Sequence, residues 1–298
     1  MIVILARGTY FARIAAVSRV IGAMLVLCAA PISSRGEARE ASLAKPGGLA
    51  CARAGFRVVV DVGHTADVPG ARSARAVPEY FFNLRLARQI EQALIDAGFV
   101  RTILLITTEP PRRGLFQRVE RVNSLGADLL LSIHHDSVPD QFLETWEFEG
   151  EPYGFSDRFP GHAIFVSHDN ADWRGSRRVG KLLGLSLKAR GLQYTPHYTE
   201  AIMGSRRREL VDAAAGVYRF DQLVVLRYAR MPAVLLEAGS IINRDEELEL
   251  RFPERRALIT ESVVDAVAGF CAVRARRHPL LATTHRAKAG KRRALLPR

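Results

Sequence analysis

The sequence predicts an α/β protein, a three-layer sandwich whose mostly parallel, twisted sheet carries helices on both faces. Three observations predict it. Short apolar runs ended by Gly or Asp alternate with longer stretches of helical periodicity, as in repeated strand–helix units. The runs are apolar throughout, which fits strands buried on both faces. Three of them end in titratable groups, at Asp61-Val-Gly-His64, Ser132-Ile-His134-His135-Asp136 and Leu235-Leu-Glu237-Ala-Gly239. In such folds chemistry gathers at the carboxyl edge of the sheet.

The elements follow in order. Phe56-Arg-Val-Val-Val-Asp61 reads as the first buried strand. Residues 79–97 carry Phe82, Leu84, Leu86, Ile90, Ala93 and Leu94 at helical spacing and stop at Gly98. Val100–Thr107 reads as a second strand, Leu115–Leu125 as a helix ending at Gly126, and Leu129–Ile133 as a third strand. Ala163–Val166 is a fourth strand, Gly175–Ala189 a helix and Ala233–Glu237 a further buried strand. A helical stretch begins at 245–250, is interrupted at Pro253, and Arg256–Val273 closes the body as a helix. Two segments, Val138–Gly161 and Gln193–Gly216, read as long loops over the active edge, the usual place for lids and substrate grooves.

The 298 residues, 48% of them hydrophobic, suffice to bury one sizeable core at residues 55–273. The net charge of +12 suggests nucleic acid until its distribution is read. Residues 1–19 hold three arginines and no acid, and residues 274–298 hold nine basic side chains and no acid, so the rest is about neutral. A nucleic-acid partner is not expected. Residues 1–30 resemble a secretory signal, with arginines ahead of the apolar run from Val20 to Ala30. The run is short for a bilayer span, so no stable membrane span is expected once it is removed. Residues 31–54 read as a linker and residues 274–298 as a basic, disordered tail that could adhere to an anionic envelope polymer or simply aid solubility. With Cys28 lost in the signal, Cys51 and Cys271 remain at the two ends of the body. In an oxidising compartment they permit one disulfide; two unrelated thiols are the alternative.

Singly, the site candidates carry weak signals. His64 and His134 each follow a strand, where a histidine is more often a hydrogen-bonded loop residue. Glu79 opens a helix after Pro78, where a glutamate commonly sits on the surface beside the helix dipole. Together they offer two imidazoles and a carboxylate at neighbouring element ends, the ligand set of a catalytic zinc with its fourth position open. Glu237 ends the apolar stretch Met231-Pro-Ala-Val-Leu-Leu236. A glutamate partly desolvated there suits a general acid/base beside a metal, or else caps a backbone turn.

The ordered set Val59-Val-Asp61-Val-Gly-His64, Gly70-Ala71, Glu79, Leu115-Phe-Gln-Arg118, Asn123, Ala127-Asp128, Ser132-Ile-His134, Val225-Leu-Arg227, Pro232-Ala-Val-Leu-Leu-Glu237-Ala-Gly239 and Asn243 resembles the zinc-dependent N-acetylmuramoyl-L-alanine amidases of the third type, over roughly residues 56–273. The resemblance implies that His64, Glu79 and His134 hold Zn²⁺ and that Glu237 is the catalytic glutamate of a catalytic domain at 55–273. It implies hydrolysis of the amide between N-acetylmuramic acid and L-alanine of peptidoglycan stem peptides, in the periplasm or extracellular envelope. The chain departs from the pattern at Thr65-Ala66, where Gly-Gly is usual, at Ser240, where Phe is usual, and at Thr107-Thr108, where Thr-Arg is usual. His135 could compete with His134, although successive side chains of a strand point to opposite faces. His162, His168 and His197 are read as non-ligands. Some envelope amidases of this family carry an inserted helix that blocks the zinc until an activator protein displaces it. Here Glu144, Glu147, Glu149 or Glu200 could reach a metal in that way. The departures leave two other readings open: a zinc peptidase or other amide hydrolase of the same fold, and a non-catalytic envelope-binding homologue.

Overall fold

A computed structural model describes residues 51–108 and 111–277. The residues read as a signal, most of the linker and the tail from 278 onward lie outside the described residues, whereas 274–277, expected in the tail, continue the last helix. A single turn of 3₁₀ helix at Arg53–Gly55 leads into β1 (Val58–Val62), which the linker was expected to precede. Then come α1 (Glu79–Asp96), β2 (Ile103–Leu105), α2 (Pro111–Ser124) and β3 (Leu129–Asp136). A hairpin follows, β4 (Glu144–Phe148) and β5 (Glu151–Phe155), then β6 (Ala163–Val166) and α3 (Trp173–Ala189). The remainder is β7 (Glu209–Asp212), β8 (Val217–Arg219), α4 (Val224–Arg227), β9 (Ala233–Ser240), α5 (Arg244–Arg251) and α6 (Pro253–Arg277).

Seven strands form one sheet in the order β2-β1-β3-β9-β6-β8-β7. The β2-β1-β3-β9 half is parallel throughout, β6 turns antiparallel against β9, β8 runs parallel to β6, and β7 is antiparallel at the edge. Alternation along the strands divides the core between the two faces. Val58, Val60, Val62, Leu131, Ile133, Val234 and Leu236 pack with α1, α3 and α6. Val59, Leu130, Ala233 and Leu235 pack with Val119 and Val122 of α2 and with Val225 and Leu226 of α4. The sandwich expected from the sequence is therefore present.

Helix α1 shows how local pattern becomes packing. Phe82, Leu86, Ile90 and Leu94 recur every fourth residue, and all four are buried on the sheet. Gly98, at φ +93°, reverses the chain where a side chain would strain the backbone. β2 is shorter than expected because a turn closed by Thr102 N–H to Phe99 O occupies its first residues. β3 and β9 are longer, so His134 and Glu237 lie inside strands rather than at or just past their ends. The two segments read as loops carry structure of their own. The first forms the β4–β5 hairpin and the second supplies β7. None of the described helices is long and apolar enough to cross a membrane.

Cys51 and Cys271 are joined by a disulfide across 220 residues, between the approach to β1 and α6. Of the two alternatives open in the sequence, the bridge is the one formed. Replacing both cysteines by serine is expected to lower stability by roughly 2–5 kcal/mol, read as a fall in the unfolding midpoint that disappears when both proteins are measured reduced.

Candidate metal centre

β1 and β3 are neighbours in the sheet, and their carboxyl ends bring His64 and His134 together. Their rings lie 5.0 Å apart, centroid to centroid, at a steep angle. Glu79, at the first turn of α1, reaches over the sheet edge between them. Its Oε2 lies 2.9 Å from His64 Nε2 and its Oε1 3.0 Å from His134 Nδ1. One ligand atom from each residue falls within 4.8 Å of the others, and among the described residues this is the one such group.

Backbone geometry makes room for it. His64 sits at φ +66°, a conformation L-residues avoid, so the chain bends sharply out of β1. A side chain at Gly63 would place its Cβ 2.4 Å from His134 Nε2, and one at Gly70 would come 2.4 Å from Glu79 Oε2. Both glycines are the walls of the cradle. The carboxylate is held from behind as well. Asn83, one turn along α1 from Glu79, donates to Glu79 Oε1 at 3.0 Å and to Gly63 O at 3.2 Å, while Ala71 N–H donates to Oε2 at 3.3 Å. Burial would raise the Glu79 carboxyl, but hydrogen bonds and charge from His134 and His64 outweigh it and hold the group well below its ordinary value. Glu79 is thus an anion poised between two imidazoles, a donor set suited to zinc.

His135 points the other way. Its ring is buried beside Phe82, with Nδ1 2.7 Å from Asn83 Oδ1, and burial pushes its pKa down to about 3. Since Asn83 spends its amide N–H groups on Glu79 and Gly63, its oxygen faces His135 and Nδ1 carries the proton. The alternation read from the sequence therefore separates the two histidines: His134 joins the cluster and His135 packs beneath α1.

Beneath the His64 bend lies a buried guanidinium. Arg118 of α2 places Nη1 3.1 Å from Asp61 Oδ1 and donates to Val62 O and to His64 O, each at 2.9 Å. It also bonds Thr107, and Ser132 Oγ donates to Asp61 Oδ2 at 2.7 Å. Arg118 is thereby tied to both ends of the bend that presents His64. Truncating Arg118 to alanine would strand the Asp61 charge and is expected to cost about 3–5 kcal/mol, measurable by denaturant unfolding.

Glu237 is aligned with His134 across β3 and β9, so both side chains rise from the same face. Although the residue keeps some exposure, its Oε2 is sealed from solvent and has no hydrogen-bond partner among the described residues. Burial, reinforced by the nearby charges of Asp136 and Glu79, pushes its carboxyl well above the usual range. A cation at the cluster would draw it back down. Asp136, quoted among the strand-end titratable groups, was given no role in the sequence reading. Two residues beyond His134 and past a bulge, it accepts from Tyr198 hydroxyl at 2.7 and 2.8 Å and from Ser137 N–H at 2.8 Å. Burial outweighs these bonds and raises it to about 7. Asn83 was also missed, although its spacing from Glu79 on one helix was the available signal.

Glu144, Glu147, Glu149 and Glu200 are exposed and do not join the metal-ligand group. The first two lie on β4 and the third in the hairpin turn, so the segment that carries them is a two-stranded ribbon rather than an inserted helix. Its aromatic side chains stack under Arg75 and Arg244, and Trp146 Nε1 donates to Ala74 O at 2.9 Å. His162, His168 and His197 also stand outside the group. Next to His64 and His134 opens a cavity of about 360 Å³, walled chiefly by Leu115, Leu223, Val225 and Leu235.

Comparison with known proteins adds three findings. The family model described as N-acetylmuramoyl-L-alanine amidase matches residues 58–269. A putative N-acetylmuramoyl-L-alanine amidase of Buchnera aphidicola subsp. Baizongia pistaciae is 22% identical over 213 residues, 69% of this chain and 92% of that one. The probable cell wall amidase LytH of Staphylococcus aureus is 24% identical over 72% of this chain, which spans only 57% of LytH. Among solved structures, Ami1 of Mycobacterium smegmatis, an N-acetylmuramyl-L-alanine amidase, is similar with a TM-score of 0.54 at 18% identity, covering 74% of this chain and 98% of that one. That likeness concerns the fold.

Proposed function

The chain belongs to the N-acetylmuramoyl-L-alanine amidase family, and we propose that it hydrolyses the amide between N-acetylmuramic acid and L-alanine in peptidoglycan with a Zn²⁺ held by His64, Glu79 and His134. The observation that carries this reading is the convergence of those three side chains beside an unpartnered, desolvated Glu237. Zinc bound there would polarise the scissile carbonyl and acidify a water molecule. Glu237 takes the proton as the water oxygen bonds to the carbonyl carbon. It then returns the proton to the leaving nitrogen as the C–N bond breaks. With its proton affinity raised by burial and lowered again by a bound cation, Glu237 suits a group that must both accept and release. Arg118 keeps His64 in place through its backbone, and Asn83 keeps Glu79 turned toward the imidazoles.

We place the enzyme outside the cytoplasm, in the periplasm or extracellular envelope, exported by the signal at 1–30, with the basic tail beyond α6 available to anionic envelope polymers. The partly accessible histidines, His64 at 31% and His134 at 17% side-chain exposure, favour a site that needs no displacement of an insert. An activator protein, if one acts on this chain, would work through another contact. A zinc peptidase is the second reading, left open by Thr65, Ala66 and Ser240 beside the site.

Digestion of purified peptidoglycan with and without a chelator tests the proposal. Stem peptides with L-alanine at their amino ends, released only without chelator, are the expected products by mass. Cleavage within the peptide would replace the amidase by the peptidase.

A further inference from the structure

The wall of the site formed by α2 and α4 continues outward into a feature the mechanism does not use. Phe116 of α2 and Tyr228, the residue after α4, are 50% and 47% exposed, and their rings meet at 5.5 Å with a 47° tilt. The other exposed aromatic residues among those described, Phe81 and Phe252, have no such partner: Phe81 leans on the buried Tyr80, and Phe252 touches no ring. The pair is held rigidly. Asn123 of α2 donates to Tyr228 O at 3.0 Å and accepts from Arg230 N–H at 2.9 Å, pinning the two elements together. Arg227 lies 5.5 Å over the Tyr228 ring and is fixed by Asp169 at 3.2 Å. Leu115, the residue before Phe116, and Val225, within the turn before Tyr228, line the cavity beside His64 and His134. The exposed rings thus form a shelf on the same two elements whose neighbouring side chains wall the cavity.

The chemistry of the shelf selects its occupant. A pyranose ring presents a sheet of C–H bonds that packs on an aromatic face, while its hydroxyl and acetamido groups remain in water or meet a fixed cation. Two tilted rings beside a guanidinium match that division. A protein partner would need a far larger contiguous contact with an apolar centre. A bilayer surface would need a broad apolar face, and here an ion-paired arginine stands in the middle of it. We propose that the Phe116–Tyr228 shelf is a glycan subsite that carries an acetamido-sugar ring of a polysaccharide strand while the bond to be cut lies at the His64–Glu79–His134 group. This rests on the amidase reading for the identity of the strand, since there the acyl half of the scissile amide is borne by a sugar.

The test uses soluble strands of alternating N-acetylglucosamine and N-acetylmuramic acid freed of stem peptides, which hold no scissile amide, with binding followed by titration calorimetry. The full chain should bind them. Phe116→Ala with Tyr228→Ala should weaken binding about tenfold or more at an unchanged melting temperature. Phe116→Tyr and Tyr228→Phe should restore binding, whereas leucine at either position should not. Absence of binding by the unaltered chain, or equal binding by the double variant, would overturn the subsite. So would loss of retention on phosphatidylglycerol vesicles with strand binding untouched, which would make the shelf a lipid contact. Shelf-dependent strand binding together with failure to release L-alanine-ended peptides would uphold the subsite and remove the amidase reading. Peptide release with a shelf-independent affinity would do the reverse.

Discussion

Glu237→Gln lowers turnover by about 10²–10⁴-fold while zinc content stays at the wild-type level. The expectation rests on position. Glu237 shares a face and a register pair with His134 but lies outside the convergent ligand group, so its loss should leave the donor set intact. Glutamine keeps the volume and removes the ability to accept a proton. Its burial also makes the outcome diagnostic: replacing a desolvated carboxyl whose pKa is already raised should leave stability equal or improved. Metal analysis, thermal unfolding and turnover on peptidoglycan, measured on one preparation, check all three parts. Full turnover by the variant would end the assignment.

The second large effect separates two adjacent histidines. His134→Ala and His64→Ala should each lose bound zinc together with activity, because three protein ligands fall to two. His135→Gln should retain zinc, since that ring faces Asn83 and Phe82. Its penalty should appear in stability, where the buried amide must find new partners, at roughly 1–3 kcal/mol. Competition titration against a chromophoric chelator gives the metal affinities. Loss of zinc from the His135 variant at unchanged stability would exchange the two roles.

Much of this arrangement was legible beforehand, for physical reasons. Apolar runs ending in titratable groups mark buried strands that deliver side chains to one sheet edge, which located His64, His134 and Glu237. Pro78 before Glu79 marked a helix start, hence a carboxylate at a fixed place near that edge. Strand alternation meant that only one of His134 and His135 could join them, and the family resemblance pointed to His134. The rest depended on contacts that sequence neighbours do not announce. Tyr198 meets Asp136 from 62 residues away, and Arg118 meets His64 O from 54. The β4–β5 hairpin hid for a different reason: Pro152 and Gly154 break the strand pattern of its second half, and its outward positions are acidic. The bridge between Cys51 and Cys271 was one of two open alternatives, because spacing alone cannot say whether two ends meet.

That bridge has a consequence for how the molecule is made. Its partners flank nearly the whole ordered body, so no fragment that stops short of residue 271 contains both thiols. A chain whose synthesis stops before residue 271 keeps Cys51 without its partner, whatever part of the sheet it has formed. Only a full-length body, with α6 docked, can consume that thiol. The disulfide is therefore a mark of completeness: a copy in which Cys51 is blocked by its partner is one that reaches α6.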